Sequence, residues 1–133
     1  MSTFHLKIST PDGLKFDGEV ERLRVRVIAG DISLLAHHMD YVSAVGAGEA
    51  AVVTAEGETR FAACIGGMLA MINNDANLIA TTFEWADEID LDRAKRAKEA
   101  AEARIAAAKD DDKELLLAKA KLHRALVRIG VKH

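Results

Sequence analysis

Residues 83–108, FEWADEIDLDRAKRAKEAAEARIAAA, contain the point at which the chain changes from strand-forming to helix-forming sequence. Beyond Trp85 the apolar positions recur in steps of three and four, and alanine, the residue with the highest helix propensity, dominates. Asp90 is a residue type preferred at a helix N-cap, and Asp92 favours the positive end of the helix dipole. These features predict a helix from Asp90 to Ala108.

A second helix is predicted from about Lys113 to Ile129, because the acidic triplet 110–112 is well placed before a helix and Gly130 is a typical stop. The short connection predicts an antiparallel two-helix hairpin. The expected contact faces are mostly alanine: Leu91, Ala94, Ala97, Ala101, Ile105 and Ala108 on the first helix, and Leu115, Ala118, Leu122, Ala125 and Ile129 on the second. Such faces bury little apolar area, so the hairpin needs support from the rest of the chain or from a partner.

The sequence before Trp85 has a period of two, with turn residues at short intervals. For example, three apolar residues at 23, 25 and 27 alternate with Arg22, Arg24 and Arg26, which predicts a strand with one buried and one basic face. The whole pattern predicts an all-β sandwich or barrel of about eight to ten short strands, followed by the C-terminal hairpin. The expected domains are residues 1–86 and residues 87–133.

Composition and charge exclude several classes of function. The 133-residue chain has a formal net charge of −3, which argues against non-specific nucleic-acid binding. Residues 109–133 carry seven basic and four acidic side chains, so this end is expected to meet an anionic partner. The one cysteine, Cys64, is expected to be a buried thiol. No segment approaches the eighteen or so apolar residues of a membrane span, so no direct membrane insertion is expected.

The adjacent histidines in LLAHHMDYV, residues 34–42, raise the question of a metal site. One interpretation is a small β-barrel metal-dependent enzyme that uses His37 and His38. On a strand, however, neighbouring side chains point to opposite faces and cannot easily bind one ion. An ordinary turn is therefore favoured, and no catalytic residue or metal ligand is predicted.

A cluster of arginines is expected in the hairpin. Arg124 and Arg128 share one helix face, and antiparallel packing brings them near Arg93 and Asp90 at the start of the first helix. Guanidinium groups pair with phosphate in bidentate geometry, so this cluster is a candidate pocket for a phosphate-bearing ligand. The alternative is a solvated basic face, which is the commoner outcome for arginines at this spacing.

Four segments in order give the chain a resemblance to a known family. They are FHLKISTPDGLKFDGEVERLRVRV at 4–27, GDISLLAHHMDYVSAVGAGE at 30–49, IGGMLAMINNDANLIAT at 65–81, and an Ile/Leu-Asp-x-x-Arg-Ala motif at residues 89–94. In these segments, and over essentially its whole length, the chain resembles the epsilon subunit of the rotary F-type ATP synthase.

The resemblance implies a noncatalytic central-stalk subunit of a proton- or sodium-driven ATP synthase, at the cytoplasmic face of the bacterial inner membrane or its organelle equivalent. The sandwich is expected to bind the gamma subunit and the membrane rotor ring. The mobile hairpin is expected to restrain ATP hydrolysis when it extends to the catalytic head subunits. No cofactor is required.

The resemblance also assigns sites. A regulatory ATP site is implied at Glu84, Ile89, Asp90, Arg93, Ala94, Arg124 and Arg128. A partner interface is implied at Asp31, His38, Met39 and Tyr41. The chain departs from the family at Ala100, where ATP-binding relatives have arginine, and at Ala36 and Asp40, where relatives have proline. Without the prolines, this turn loses its fixed φ angles.

Overall fold

The computed structural model describes residues 2–108 and 112–132. The strands are β1 Phe4–Thr10, β2 Gly13–Val27, β3 Gly30–Leu35, β4 Tyr41–Thr54, β5 Thr59–Ile72 and β6 Asp75–Trp85. A 3-10 turn, Ala86–Glu88, connects β6 to the helices α1 Leu91–Ala107 and α2 Asp112–Val131. The predicted all-β part followed by a helical hairpin is confirmed.

The strands form one sheet in the order β1-β6-β5-β4-β2-β3. A further antiparallel pairing of β1 with β2 closes five of these strands into a barrel, and β3 lies on the remaining edge of β2. All neighbours pair antiparallel except β1 with β6. Closure leaves few open strand edges, which limits unwanted edge pairing.

The expected number of strands was too high, because the described part of the chain has six strands rather than eight to ten short ones. Strand β5 continues through Gly66 and Gly67 with unchanged register, since Ile65 pairs with Thr82 and Gly67 with Ala80. Gly67 has φ 128°, and a Cβ there would lie 2.1 Å from the carbonyl oxygen of Ile79. The glycine pair therefore serves a close approach of β6, not a chain break.

The core of the barrel comes from the alternating apolar positions. Its largest fully buried side chains are Phe4, Leu6, Ile8, Val20, Leu23, Val25, Leu34, Val52, Leu69, Met71, Leu78 and Phe83. The arginines that alternate with Leu23 and Val25 lie outside this core, as the period of two predicts. Trp85 closes one end, with edge-to-face contacts to Phe16 and Phe83 and the guanidinium of Arg60 3.8 Å from its ring centroid.

The hairpin follows the predicted helical period. Asp90 caps α1, and its Oδ1 accepts a hydrogen bond from the backbone N–H of Arg93 at 3.1 Å. The alanines buried in the hairpin are Ala94 and Ala101 on α1 and Ala118 and Ala125 on α2. Ala97, expected in this seam, is exposed.

The end of α2 differs from the prediction, because the helix passes through Gly130 and ends at Val131. Glycine inside a helix costs about 1 kcal/mol. Val131 is 1% exposed and packs with Ile89 and Ala63, and this burial offsets the cost. Most of the predicted connection, residues 109–111, lies outside the described residues. Neither helix, as far as it is described, is long and apolar enough to cross a membrane.

Candidate functional site

The hairpin rests on the barrel through a small apolar cluster at the end of β6. Ala63 of β5, Ile89 before α1 and Val131 of α2 form its buried centre, with Phe61, Ala86 and Val127 packed around it. Ile89 is 4% exposed, so its side chain fills this cluster and does not face an open cleft. Among the residues expected to bind ATP, Ile89 is therefore a packing residue in this structure.

Three polar contacts add to this cluster. Arg128 donates from Nε to Glu84 Oε1 at 2.5 Å, and Lys132 donates from Nζ to the carbonyl of Ala86 at 3.0 Å. The ring Nε2 of His123 lies 3.2 Å from the carbonyl oxygen of Ala47 on β4. His123 thus joins α2 to β4, and Arg128 joins α2 to β6. Lys132, the residue after α2, contacts the 3-10 turn that follows β6.

A cleft of about 310 Å³ lies where the start of α1 meets the end of α2 and β6. Its lining is Glu84, Glu88, Asp90, Arg93, Ala94, Ala97 and Arg128. Five of the seven residues expected to bind ATP therefore share one site, and we call it the acidic cleft because it holds three carboxylates. The carboxylate of Glu88 is partly engaged, since Oε1 accepts from the backbone N–H of Trp85 at 3.0 Å.

A second cleft of about 380 Å³ adjoins the first between the two helices. Its lining is Ala97, Ala100, Ala101, Arg104, Lys121, Arg124 and Arg128, and we call it the cationic cleft. Arg124, expected beside Arg93, lies here instead, and Arg128 and Ala97 line both clefts. Lys121 had not been expected at the site, although its position three residues before Arg124 places both on one helix face.

The residues expected at a partner interface lie at the two ends of β3. Asp31 is at its start, where its carboxylate binds Arg26 Nε at 2.9 Å and Arg24 at 3.3 Å. His38 and Met39 follow its end, and Tyr41 opens β4. The ring of His38 makes an edge-to-face contact with Tyr41. The structure thus separates Asp31 from the other three residues.

Side chains hold the turn that lacks the two prolines. The backbone N–H of His37 donates to Asn74 Oδ1 at 2.6 Å, and Asp40 Oδ1 accepts from the backbone N–H of Asn73 at 3.0 Å. His37 has φ 65°, and the Nδ1 of His38 lies 2.7 Å from the carbonyl oxygen of Met39. Across residues 2–108 and 112–132, no three His, Cys, Asp or Glu side chains form a group suited to a metal.

Cys64 is buried in β5, as its apolar neighbours predict. Burial raises the pKa of this thiol from 9.0 to about 12, because the thiolate would lose its hydration. The thiol is therefore protonated at neutral pH, where a thiol is a poor nucleophile.

Two family models match consecutive parts of the chain. The "ATP synthase, Delta/Epsilon chain, beta-sandwich domain" matches residues 3–86, and the "ATP synthase, Delta/Epsilon chain, long alpha-helix domain" matches residues 87–132. The chain is 36% identical over 129 residues to the ATP synthase epsilon chain of Caldicellulosiruptor bescii, covering 97% of this chain and 93% of that protein. It is 35% identical over 130 residues to that of Clostridium botulinum, covering 98% and 96%.

Solved structures share the fold. A chain of the Euglena gracilis mitochondrial ATP synthase superposes with a TM-score of 0.87 at 18% identity, covering 100% of this chain and 83% of that one. A chain of the Tetrahymena thermophila mitochondrial ATP synthase central stalk and c-ring gives 0.61 at 10% identity, covering 97% and 96%. The family models and relatives show that the chain belongs to the family of ATP synthase epsilon chains; it is therefore a noncatalytic subunit that requires no cofactor, and not the metal-dependent enzyme considered as the alternative.

Proposed function

We propose that this chain is a central-stalk subunit whose hairpin moves between the folded state described above and an extended state that restrains ATP hydrolysis. The observation that carries the proposal is the limited contact between α2 and the barrel: within the described residues, α2 meets the barrel at one small apolar cluster, to which His123, Arg128 and Lys132 add polar contacts. In the extended state, the basic end of α2 would meet acidic segments of the catalytic head subunits.

The energetics favour a switch. Burying one valine side chain contributes roughly 1.5–3 kcal/mol, and a partly exposed ion pair such as Arg128 with Glu84 contributes about 0–1 kcal/mol. Their side chains are 27% and 31% exposed, so solvent screens the pair. A docking free energy of a few kcal/mol is within the range that a ligand or partner with differential affinity can reverse.

The outer face of the barrel supports a site for the gamma subunit. Val42 on β4, Met68 on β5 and Ile79 on β6 are 60%, 49% and 61% exposed. The register pairs Met68 directly with Ile79, and Val42 lies two residues before the β4 partner of Met68. Apolar side chains exposed together on adjacent strands are typical of protein interfaces.

The neighbouring turn is proposed to contact the membrane rotor ring through His38, Met39 and Tyr41, with Asp31 as a further contact at the other end of β3. Met39 is 78% exposed, and exposed methionines suit adaptable interfaces. We place the complex at the cytoplasmic face of a bacterial inner membrane, or its organelle equivalent. The coupling ion is a proton or sodium; a relative from Acetobacterium woodii, 35% identical over 103 residues, is described as sodium ion specific.

Regulatory ATP is proposed to bind across the acidic and cationic clefts. Both clefts are lined by residues of α1 and α2 together. A ligand that contacts both helices binds the folded hairpin better than the extended one, so it stabilises the folded, non-inhibitory state.

Binding to gamma tests the proposed role in the stalk. The full chain should form a stable one-to-one complex with a cognate gamma subunit in size-exclusion chromatography. Met68→Glu should weaken this complex at least tenfold, because it buries a charge at the interface. Leu14→Glu, which introduces the same charge at an exposed apolar position on β2, is the matched control and should bind normally. Failure of the unmodified chain to form the complex would contradict the proposal.

A further inference from the structure

We propose that the groove between α2 and the basic face of β2 is a docking site for a short segment of a partner protein that carries a carboxylate next to an apolar side chain. Arg26 binds the carboxylate, and Leu126 contacts the apolar side chain. We call this site the β2–α2 groove. Among the described residues, it shares no lining residue with the acidic or the cationic cleft. Its effect on the hairpin rests on the two-state hairpin proposed above.

The β2–α2 groove measures about 370 Å³ and has one wall from the barrel and one from the hairpin. The barrel wall carries four charged side chains: Arg24, Arg26, Asp31 and Glu49. The helix wall is apolar where Leu126 and Val127 line it. Leu126 is 45% exposed, so an occupant can reach its side chain. A site with one charged and one apolar wall fits an occupant that presents both kinds of group.

Three ion-pair contacts connect these charged side chains. Arg24 donates to Glu49 at 2.7 Å and to Asp31 at 3.3 Å through its two terminal nitrogens. Arg26 donates from Nε to the other oxygen of Asp31 at 2.9 Å. Within the described residues, the terminal nitrogens of Arg26 make no such contact, and its side chain is 51% exposed against 28% for Arg24. Arg26 is therefore the residue whose guanidinium can pair with an incoming carboxylate in bidentate geometry.

Two glycines of β4 make room for the stem of Arg26. A Cβ added at Gly48 would lie 2.7 Å from the Cβ of Arg26, and one added at Gly46 would lie 3.7 Å from its Cγ. A larger residue at Gly48 would therefore displace the stem. The pairing of β2 with β4 also shifts register between Arg24 and Val27, and such an irregularity re-aims the side chains beside it. The strands thus fix the direction in which Arg26 points.

The charges at the groove favour an acidic occupant over a basic or a purely apolar one. Both oxygens of Asp31 already face an arginine, so a basic side chain from a partner would meet Arg24 and Arg26 without an unpaired carboxylate there. A purely apolar segment would cover Arg26 and remove water from its guanidinium without replacing it, which costs free energy. A carboxylate offsets this loss with charge-assisted hydrogen bonds.

An occupant of the groove acts on the hairpin, because α2 supplies one of the two walls. The complete groove is present only while α2 is docked on the barrel. A segment that contacts both walls therefore binds the folded hairpin better than the extended one, and it shifts the population towards the folded state. The groove is thus a second point of control, used by a partner segment and not by a nucleotide.

Nuclear magnetic resonance of the full, isotope-labelled chain tests the inference with three peptide probes. The probes are N-acetylated, C-amidated tripeptides with the sequences Leu-Glu-Leu, Leu-Gln-Leu and Leu-Lys-Leu. We expect Leu-Glu-Leu to shift the amide signals of Gly48, Leu126 and Gly130, which line the groove. It should bind about tenfold more tightly than the other two peptides, because only its carboxylate pairs with Arg26.

Arg26→Ala should weaken the binding of Leu-Glu-Leu about tenfold and remove its preference over Leu-Gln-Leu. Arg22→Ala is the matched control, because it removes the same charge from an exposed position of the same strand outside the groove. Gly48→Ala, which displaces the stem of Arg26, should act like Arg26→Ala, whereas Gly46→Ala should bind normally. The dispersion of the amide signals checks the fold of each variant.

The outcomes test the site and its link to the hairpin separately. If Leu-Glu-Leu causes no shift at about 10 mM, or shifts only signals outside the groove, the site is wrong. If the three peptides bind equally, or if Arg26→Ala acts no more strongly than Arg22→Ala, the assignment of Arg26 is wrong.

Hydrogen exchange measures the link to the hairpin. At a peptide concentration of about ten times the Kd, exchange in α2 should slow about tenfold, because the peptide binds only the docked state. Unchanged exchange with the peptide bound would overturn this link while the site stands. Neither measurement depends on ATP hydrolysis, so a failure of the proposed restraint of hydrolysis is distinguishable from a failure of the groove.

Discussion

Among the glycines, Gly67 is the one at which an added Cβ would meet its neighbours most closely. Its φ of 128° is in a region that favours glycine, and an added Cβ would lie 2.1 Å from the carbonyl oxygen of Ile79. Gly67→Ala is expected to lower the free energy of unfolding by at least about 2 kcal/mol, through backbone strain and overpacking. Urea denaturation measures this loss.

Gly57→Ala provides the control for Gly67→Ala. Gly57 also has a positive φ, 87°, but nothing lies within 4 Å of an added Cβ. Gly57→Ala should therefore lower the free energy of unfolding only through backbone strain, by about 1 kcal/mol. Equal losses in the two variants would show that the contact with β6 does not constrain Gly67.

Cys64 should be unreactive in the folded chain. Its raised pKa, about 12, keeps the thiol protonated at pH 8, and burial blocks access. The folded state holds this proton more tightly than the unfolded state does. The contribution of the protonated Cys64 thiol to stability is therefore complete below the unfolded-state pKa of 9.0 and is lost as pH rises towards about 12. Iodoacetamide labelling at pH 8 should be slow in buffer and fast in 6 M guanidinium; fast labelling in buffer would contradict the burial.

At the scale of elements, Val131 is expected to control the docking of the hairpin. Val131→Ala removes two buried methyl groups from the cluster with Ala63 and Ile89, which should cost about 1.6 kcal/mol. Hydrogen exchange should then speed up in α2 by about tenfold, with the barrel strands unchanged. Leu116→Ala, at an exposed position on the same helix, is the control. Unchanged protection of α2 would mean that the cluster does not hold the hairpin.

The sequence predicts elements well where a local period decides them. The buried alanines Ala94, Ala101, Ala118 and Ala125 all follow the steps of three and four, and Asp90 caps α1 as its residue type predicts. The sequence predicts the structure less well where contacts between distant residues decide it. Gly66 and Gly67 look like a chain break, yet the neighbouring strand β6 requires them.

The position of a helix end and the set of residues that line a site are also difficult to predict from the sequence, because distant contacts decide them. Gly130 resembles a helix stop, but the burial of Val131 extends α2 past it. The arginine cluster was predictable from spacing, since Arg93 and Arg128 do share a cleft. Its division into two clefts depends on how the two helices pack, and so does the inward position of Ile89. No residue pattern within one helix contains that information.

At the scale of the whole molecule, the structure combines a closed barrel with a lightly held appendage. The barrel has a continuous core and a closed ring of strands, whereas the hairpin has alanine seams and one small cluster against the barrel. Under the proposed function, the barrel stays bound to the rotor while the hairpin undocks, because the barrel core contains no hairpin residue and the cluster that joins the two parts is small.

The proposed restraint of ATP hydrolysis by the hairpin can be measured as the hydrolysis rate of the catalytic complex. The complex should be reconstituted with the full chain or with a chain truncated after Ala86, with matched gamma binding confirmed for both. We predict that the truncated chain binds gamma normally and that its complex hydrolyses ATP several-fold faster than the complex with the full chain. Equal hydrolysis rates with the two chains would contradict it.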